Sequence, residues 1–169
     1  MLNKRVVGLC IILSILSAVL QSAPVLLGNS FSFAVFLSGL PVYIAARQGC
    51  GAGITVFFAA AALSLYMNVI EALFFICTNG IIGISSGIMQ DRFNSIYYIP
   101  VPSALLVVVM LFAVNYPLGI RIFDTSVIKA PILQAIALLP ILYAYCLIYL
   151  KTSMSAAALL HRSIKFINY

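Results

Sequence analysis

The carboxylate, imidazole and thiol chemistry available to this chain of 169 residues is sparse: Glu71, Asp91, Asp124, His161 and the cysteines Cys10, Cys50, Cys77 and Cys146. No two acids are spaced as an acid–base pair, and a lone histidine supplies neither a triad nor a metal cluster. Asp91 adjoins Arg92 and reads as a solvated pair at a helix end, while Asp124 falls in a separate polar stretch. The cysteines form no C-x-x-C motif and suit small packing positions in apolar surroundings. Gly49-Cys50-Gly51-Ala52-Gly53 has the glycines of a phosphate loop but neither the following Lys-Ser/Thr nor a preceding strand, so it reads as a tight turn. The sequence therefore leads us to expect no catalytic residue, no metal, no cofactor and no enzymatic activity.

Glu71 differs from the other acids because it is the single charge in the 39 residues from Gly51 to Met89. The whole chain is of similar character: 64% hydrophobic and 7% charged, with mean hydropathy +1.20. A water-soluble domain of 18.3 kDa needs far more polar surface, whereas a bilayer solvates apolar faces directly. The apolar residues run continuously instead of alternating, which excludes a transmembrane β-barrel. The formal charge of +6 is dispersed along the chain, so it reads as a membrane-orientation signal and not as a nucleic-acid surface. A carboxylate inside such a protein is costly and marks a site that could orient a cationic or hydroxylated ligand or bind a proton. The competing reading places Glu71 at a helix N-terminus, reaching water and favoured by the helix dipole.

The elements that must position Glu71 follow from apolar length. Six spans are expected at about residues 6–27, 29–46, 51–67, 69–89, 98–118 and 130–150. The stretch 51–89 is too long for one crossing of a ~30 Å core, and Asn68 and Glu71 place the reversal around Tyr66 to Ile70. One long helix with a re-entrant piece broken at Asn79-Gly80 is the alternative. Pro100 and Pro102 suit the start of the fifth span, and Pro140 is expected to kink the sixth. Lys4, Arg5, Arg47, Arg92, Lys151, Arg162 and Lys165 then share one side, against Arg121 and Lys129 on the other. This asymmetry puts both termini in the cytoplasm. The first segment resembles a signal peptide, but its apolar run is too long and Pro24 would follow the cut, so it is expected to remain. Residues 1–151 thus form a transmembrane domain, and 152–169 a basic amphipathic tail. On the tail, Leu159, Leu160, Ile164, Phe166 and Ile167 oppose His161, Arg162 and Lys165, a pattern suited to an anionic surface.

Two further patterns concern packing and binding. Ser14, Ala18 and Ser22 recur every four residues, as do Gly83 and Gly87, and such faces let backbones approach, within the bundle or against a separate subunit. Gln21, Asn68, Glu71, Asn115 and Gln134 all fall towards the external ends of their spans, with Asn79 near mid-depth. Glu71, Asn68, Asn115 and Gln134 are accordingly the expected ligand-binding residues.

The stretch from Pro41 to Arg92 carries a family likeness. It reads Pro-Val-Tyr-Ile-Ala-Ala-Arg-Gln-Gly-Cys-Gly-Ala-Gly, an apolar hairpin, then Asn79-Gly80-Ile-Ile-Gly83-Ile-Ser-Ser-Gly87 before Asp91-Arg92. It resembles the YybS-like bacterial multi-pass proteins and, more distantly, the substrate-binding S components of energy-coupling factor vitamin transporters. The resemblance covers about a third of the chain and rests on Gly, Pro and Arg positions. It implies a six-helix solute-capture subunit of the bacterial inner membrane, serving a membrane coupling subunit and paired ATPases, with Ser14, Ala18 and Ser22 as the docking face. The chain departs from the family in its serines at two of those places and in its shorter length. An all-α polytopic bundle that binds a small solute in the lipid bilayer is the expectation; a non-transporting scaffold subunit is the alternative.

Overall fold

A computed structural model describes residues 4–93, 95–116 and 131–167 of the chain. Expectations resting on Arg121, Asp124 and Lys129, or on the side chains of Lys4, Arg5 and the tail beyond Leu159, lie outside the described residues. Among the described residues every regular element is helical. The helices are α1 (Lys4–Leu27), α2 (Ser32–Leu37), α3 (Leu40–Gln48), α4 (Cys50–Met67), α5 (Val69–Cys77), α6 (Asn79–Met89), α7 (Pro100–Asn115) and α8 (Pro131–Ile167), with a single 3-10 turn at Asn29–Phe31. Five stretches are long and apolar enough to cross a membrane: Val6–Leu27, Asn29–Gln48, Cys50–Met67, Val69–Met89 and Pro131–Leu159. The predicted fifth segment is α7, whose 16 residues reach about 24 Å.

Side-chain placement departs from that of a soluble protein. Ile12, Ile15, Phe58, Val109, Ile132 and Ile148 point outward, while Ser14, Ser17, Gln21, Ser22, Ser86 and Ser103 are buried. Lipid solvates the first set as well as a core would, so helix association relies on close packing and internal hydrogen bonds. The Ser85 hydroxyl shows this economy: it lies 2.6 Å from the Ile81 carbonyl of its own helix and 2.7 Å from Ser103 Oγ on α7.

The structure adds detail to the sequence-based segments in three places, while Asn29–Gln48 and Val69–Met89 remain membrane-length stretches. Residues 29–46 do not form one uninterrupted helix, because Pro41 has no N–H for the carbonyl of Leu37, and the ladder stops between α2 and α3. The reversal after α4 falls at Asn68, as expected, yet the following span is also interrupted, at Thr78 (φ −126°, ψ −91°). Lastly, the sixth segment and the tail are one helix, α8, since no glycine or proline follows Pro140 to end it.

The two interrupted spans run side by side. A Cβ on Gly39 would overlap the carbonyl oxygen of Asn79, and one on Gly83 would overlap the carbonyl oxygen of Gly39. Gly87 lies against Ala46 and 2.9 Å (from an ideal Cβ) from the Tyr43 carbonyl. The Gly83 and Gly87 face is therefore spent on α3, within the chain. Ser14, Ala18 and Ser22 are likewise buried by the chain's own helices. At the far end of this pair the Tyr43 hydroxyl bonds Gln90, and Arg47 pairs with Asp91. Asp91 thus reaches across to α3 and does not form the expected pair with Arg92. Leu150 packs with Tyr43 in the same cluster, so Arg47, Arg92 and Lys151 gather at one end of the bundle. Between α3 and α4 the chain turns on Gly49 alone, at φ 146°, a backbone that side-chain-bearing residues rarely adopt. The tight turn expected of the glycine-rich stretch is Gly49 itself, and Cys50–Gly53 already belongs to α4.

Replacing Gly39 or Gly83 with Ala should lower stability by about 1–3 kcal/mol, because the added methyl meets backbone that cannot give way. Gly8→Ala, where nothing lies within 4 Å of the new Cβ, should leave stability unchanged or slightly higher. Thermal unfolding of the three variants in detergent checks the contrast.

Candidate functional site

Asn68 begins the site. Its extended backbone (φ −158°, ψ 123°) ends α4, and its Oδ1 accepts the backbone N–H groups of Ile70 (2.9 Å) and Glu71 (3.2 Å). This is an N-cap, so Asn68 holds the start of α5 instead of facing a ligand. Glu71 consequently occupies the first turn of α5, where the exposed N–H groups favour a negative side chain.

From Glu71 a chain of hydrogen bonds runs inward. Gln21 Nε2 on α1 donates to Glu71 Oε2 at 2.8 Å. A carboxylate only accepts, so Gln21 must turn its NH2 towards Glu71 and its carbonyl the other way. That carbonyl accepts from the Ser38 hydroxyl at 2.8 Å, which shares its proton with the Val35 carbonyl at 2.7 Å. The Ser17 hydroxyl donates to the Ser38 carbonyl at 2.5 Å. Asn79 Nδ2, at the start of α6, donates to the same Val35 carbonyl at 2.8 Å, and the Tyr145 hydroxyl on α8 donates to Asn79 Oδ1 at 2.7 Å. The carbonyls around the α2–α3 interruption are thus bonded by side chains of α1 and α6. Irregular backbone at membrane depth is tolerated under such conditions.

Above this network lies a pocket of about 550 Å³. Glu71, Phe74 and Thr78 form one face of α5 into it, joined by Asn79 and Ile82 of α6. Ser32 and Val35 of α2, Pro24 of α1, Val107 of α7, and Ile141, Leu142 and Tyr145 of α8 complete the walls, with Asn29 beside them. Four of the membrane-length stretches and α7 therefore contribute. The pocket lies at the end of the bundle opposite Arg47, Arg92 and Lys151, and no described cation pairs with Glu71.

Of the expected ligand-binding residues, Glu71 lines this pocket and Asn68 caps its helix. Asn115 and Gln134 are buried elsewhere, near the junction of α7 and α8, where Gln134 Oε1 accepts from the Tyr116 hydroxyl at 3.0 Å. The polar residues near the external span ends thus divide into two groups, and only one surrounds the pocket. Sequence reasoning passed over Thr78, Ser32 and Tyr145, whose types are ordinary in membrane helices. The available signal was Pro41: an interrupted helix frees carbonyls, and freed carbonyls need polar neighbours. Among the described residues no three His, Cys, Asp or Glu side chains come together.

A second groove, of about 610 Å³, lies between α1 and α4 and is lined almost wholly by apolar atoms, with Cys10, Ser14 and Thr55 among its residues. No protein-family model matches the chain, and no curated protein or solved structure matches it.

The network makes a distinction between charge and shape. Glu71→Gln retains an oxygen to accept from Gln21 and should cost less than about 1 kcal/mol. Gln21→Leu takes from Glu71 its side-chain donor and leaves Ser38 with the Val35 carbonyl alone, and should cost about 1–3 kcal/mol. Denaturation curves of the two variants in the same detergent test the order.

Proposed function

We propose that this chain is a small-solute-binding component of a membrane transport system, set in the bacterial inner membrane with six spans and both termini cytoplasmic. The observation that carries the reading is the pocket above the paired interruptions, with a carboxylate at its wall and the Asn79–Tyr145 pair at its base. Interrupted helices meeting beneath a polar cavity are a recurrent arrangement in transporters, because they bring backbone and side-chain polarity to a solute within the bilayer. The gathering of Arg47, Arg92 and Lys151 at the opposite end supports an outward-facing pocket, since cytoplasmic ends are rich in Lys and Arg. α7 is then a sixth, short crossing, which local thinning of the bilayer accommodates. The resemblance to S components of energy-coupling factor transporters fits this picture. It gives the energy source to a separate coupling subunit and ATPases, with no chemistry performed by this chain.

The scaffold reading retains one specific support, the apolar groove between α1 and α4, which Ser14 helps to line. Its other proposed surfaces, Ala18, Ser22, Gly83 and Gly87, are occupied inside the bundle.

Native mass spectrometry of protein released gently from membranes tests solute capture. The wild type should retain a small-molecule mass that Glu71→Gln loses, while that variant, which still accepts from Gln21, stays folded. Equal retention by the two proteins would remove Glu71 from the proposal.

A further inference from the structure

The pocket's hydrogen-bonding capacity leans towards acceptance. Ser32 Oγ has given its proton to the Asn29 carbonyl (2.6 Å), and Thr78 Oγ has given its own to the Phe74 carbonyl. The Tyr145 hydroxyl donates to Asn79, and the Asn79 amide donates to Val35. Glu71 can only accept. Most of what these groups still offer a bound molecule is lone pairs, beside one remaining N–H of Asn79 and the side-chain amide of Asn29. A solute that is itself an anion, such as a carboxylate or a phosphate, would meet the negative charge of Glu71, which no described cation offsets.

We propose that the pocket takes a small organic ammonium compound, an inference that rests on the solute-binding reading above and names its substrate class. The ammonium group donates to Glu71 and to the oxygens beside it, in the charge-assisted form that is strongest where water is excluded. The rest of the molecule lies on Phe74, Ile82, Val107, Ile141 and Leu142. These apolar walls select an organic amine over a hydrated metal cation, which would have to shed its water against hydrocarbon. The faces of Phe74 and Tyr145 add attraction for a cation. The first turn of α5 and the Gln21 amide hold the carboxylate in place before the ligand arrives, so little reorganisation is needed on binding.

The test is calorimetric titration of the whole 169-residue chain in nanodiscs with three probes of similar shape: 2-phenylethylammonium, 2-phenylethanol and 3-phenylpropanoate. The expected result is saturable binding of the ammonium probe alone, weakened roughly 10- to 100-fold in Glu71→Gln. Tyr145→Phe, which frees Asn79 Oδ1 but removes the phenolic oxygen, should weaken it less. If the alcohol or the carboxylate binds as tightly as the amine, or if Glu71→Gln binds the amine like the wild type, the ammonium assignment falls while solute binding stands. If none of the probes binds and the protein also releases no solute in the mass spectrometer, the underlying reading falls with it.

Discussion

Two helices that break their own hydrogen-bond ladders inside the hydrophobic layer can persist only if something else satisfies the groups they release. In this chain they satisfy each other's surroundings. The interruption at Pro41 leaves the α2 end in need of donors, and Asn79, at the interruption of the next parallel span, supplies one to Val35. Gly39 and Gly83 permit the approach: each would place a Cβ on the other span's backbone, so both positions must lack one. Lipid gives no drive for helices to associate, which makes this close fit and its hydrogen bonds the main source of cohesion. The buried serines of α1, α6 and α7 extend the same solution through the bundle.

The site follows from that constraint. Most groups recruited to stabilise irregular backbone have committed a donor to it, so the cavity beside them leans towards acceptors. Glu71 adds charge to that bias. Its neighbours on α1 and α5 stabilise it without neutralising it: Gln21 brings a dipole, and the helix start brings partial positive charge. A cavity with fixed dipoles, largely apolar walls and a carboxylate that pairs with no described cation favours a partner that brings its own positive charge. The Arg47–Asp91 pair at the opposite end serves a different purpose, joining α3 to α6 at the water interface, where such exposed pairs contribute little energy but fix alignment.

Much of this was legible before any coordinates. Composition and apolar run length establish a helical membrane protein, and the polarity of Asn68 and Glu71 marks the reversal between α4 and α5 because Asn is a good N-cap and Glu suits a first turn. The Gly83–Gly87 spacing marks a close helix contact, although spacing alone leaves the partner helix open. The interruption at Pro41 was hidden by hydropathy, which averages over a proline that costs a hydrogen bond but no apolar area. Asn115 and Gln134 share a nominal depth with Glu71, yet depth along separate helices does not fix which faces meet. That depends on helix rotation, set by Gln134 turning towards Tyr116 and away from the pocket. Tyr145 could not be singled out, since one tyrosine among several on α8 is chosen only by where Asn79 lies.

The central claim is that a polar pocket open to the outer face penetrates the protein as far as the second interruption. Cysteine accessibility at Thr78, on the pocket wall, tests it most directly. In a Cys50→Ser background, which removes the exposed native thiol, Thr78→Cys and the outward-facing Val109→Cys would be treated in intact cells with a membrane-impermeant cationic thiol reagent. The account predicts rapid labelling at position 78 from outside and none at 109. Protection of position 78 from outside, or its labelling only from the cytoplasmic side, would contradict it.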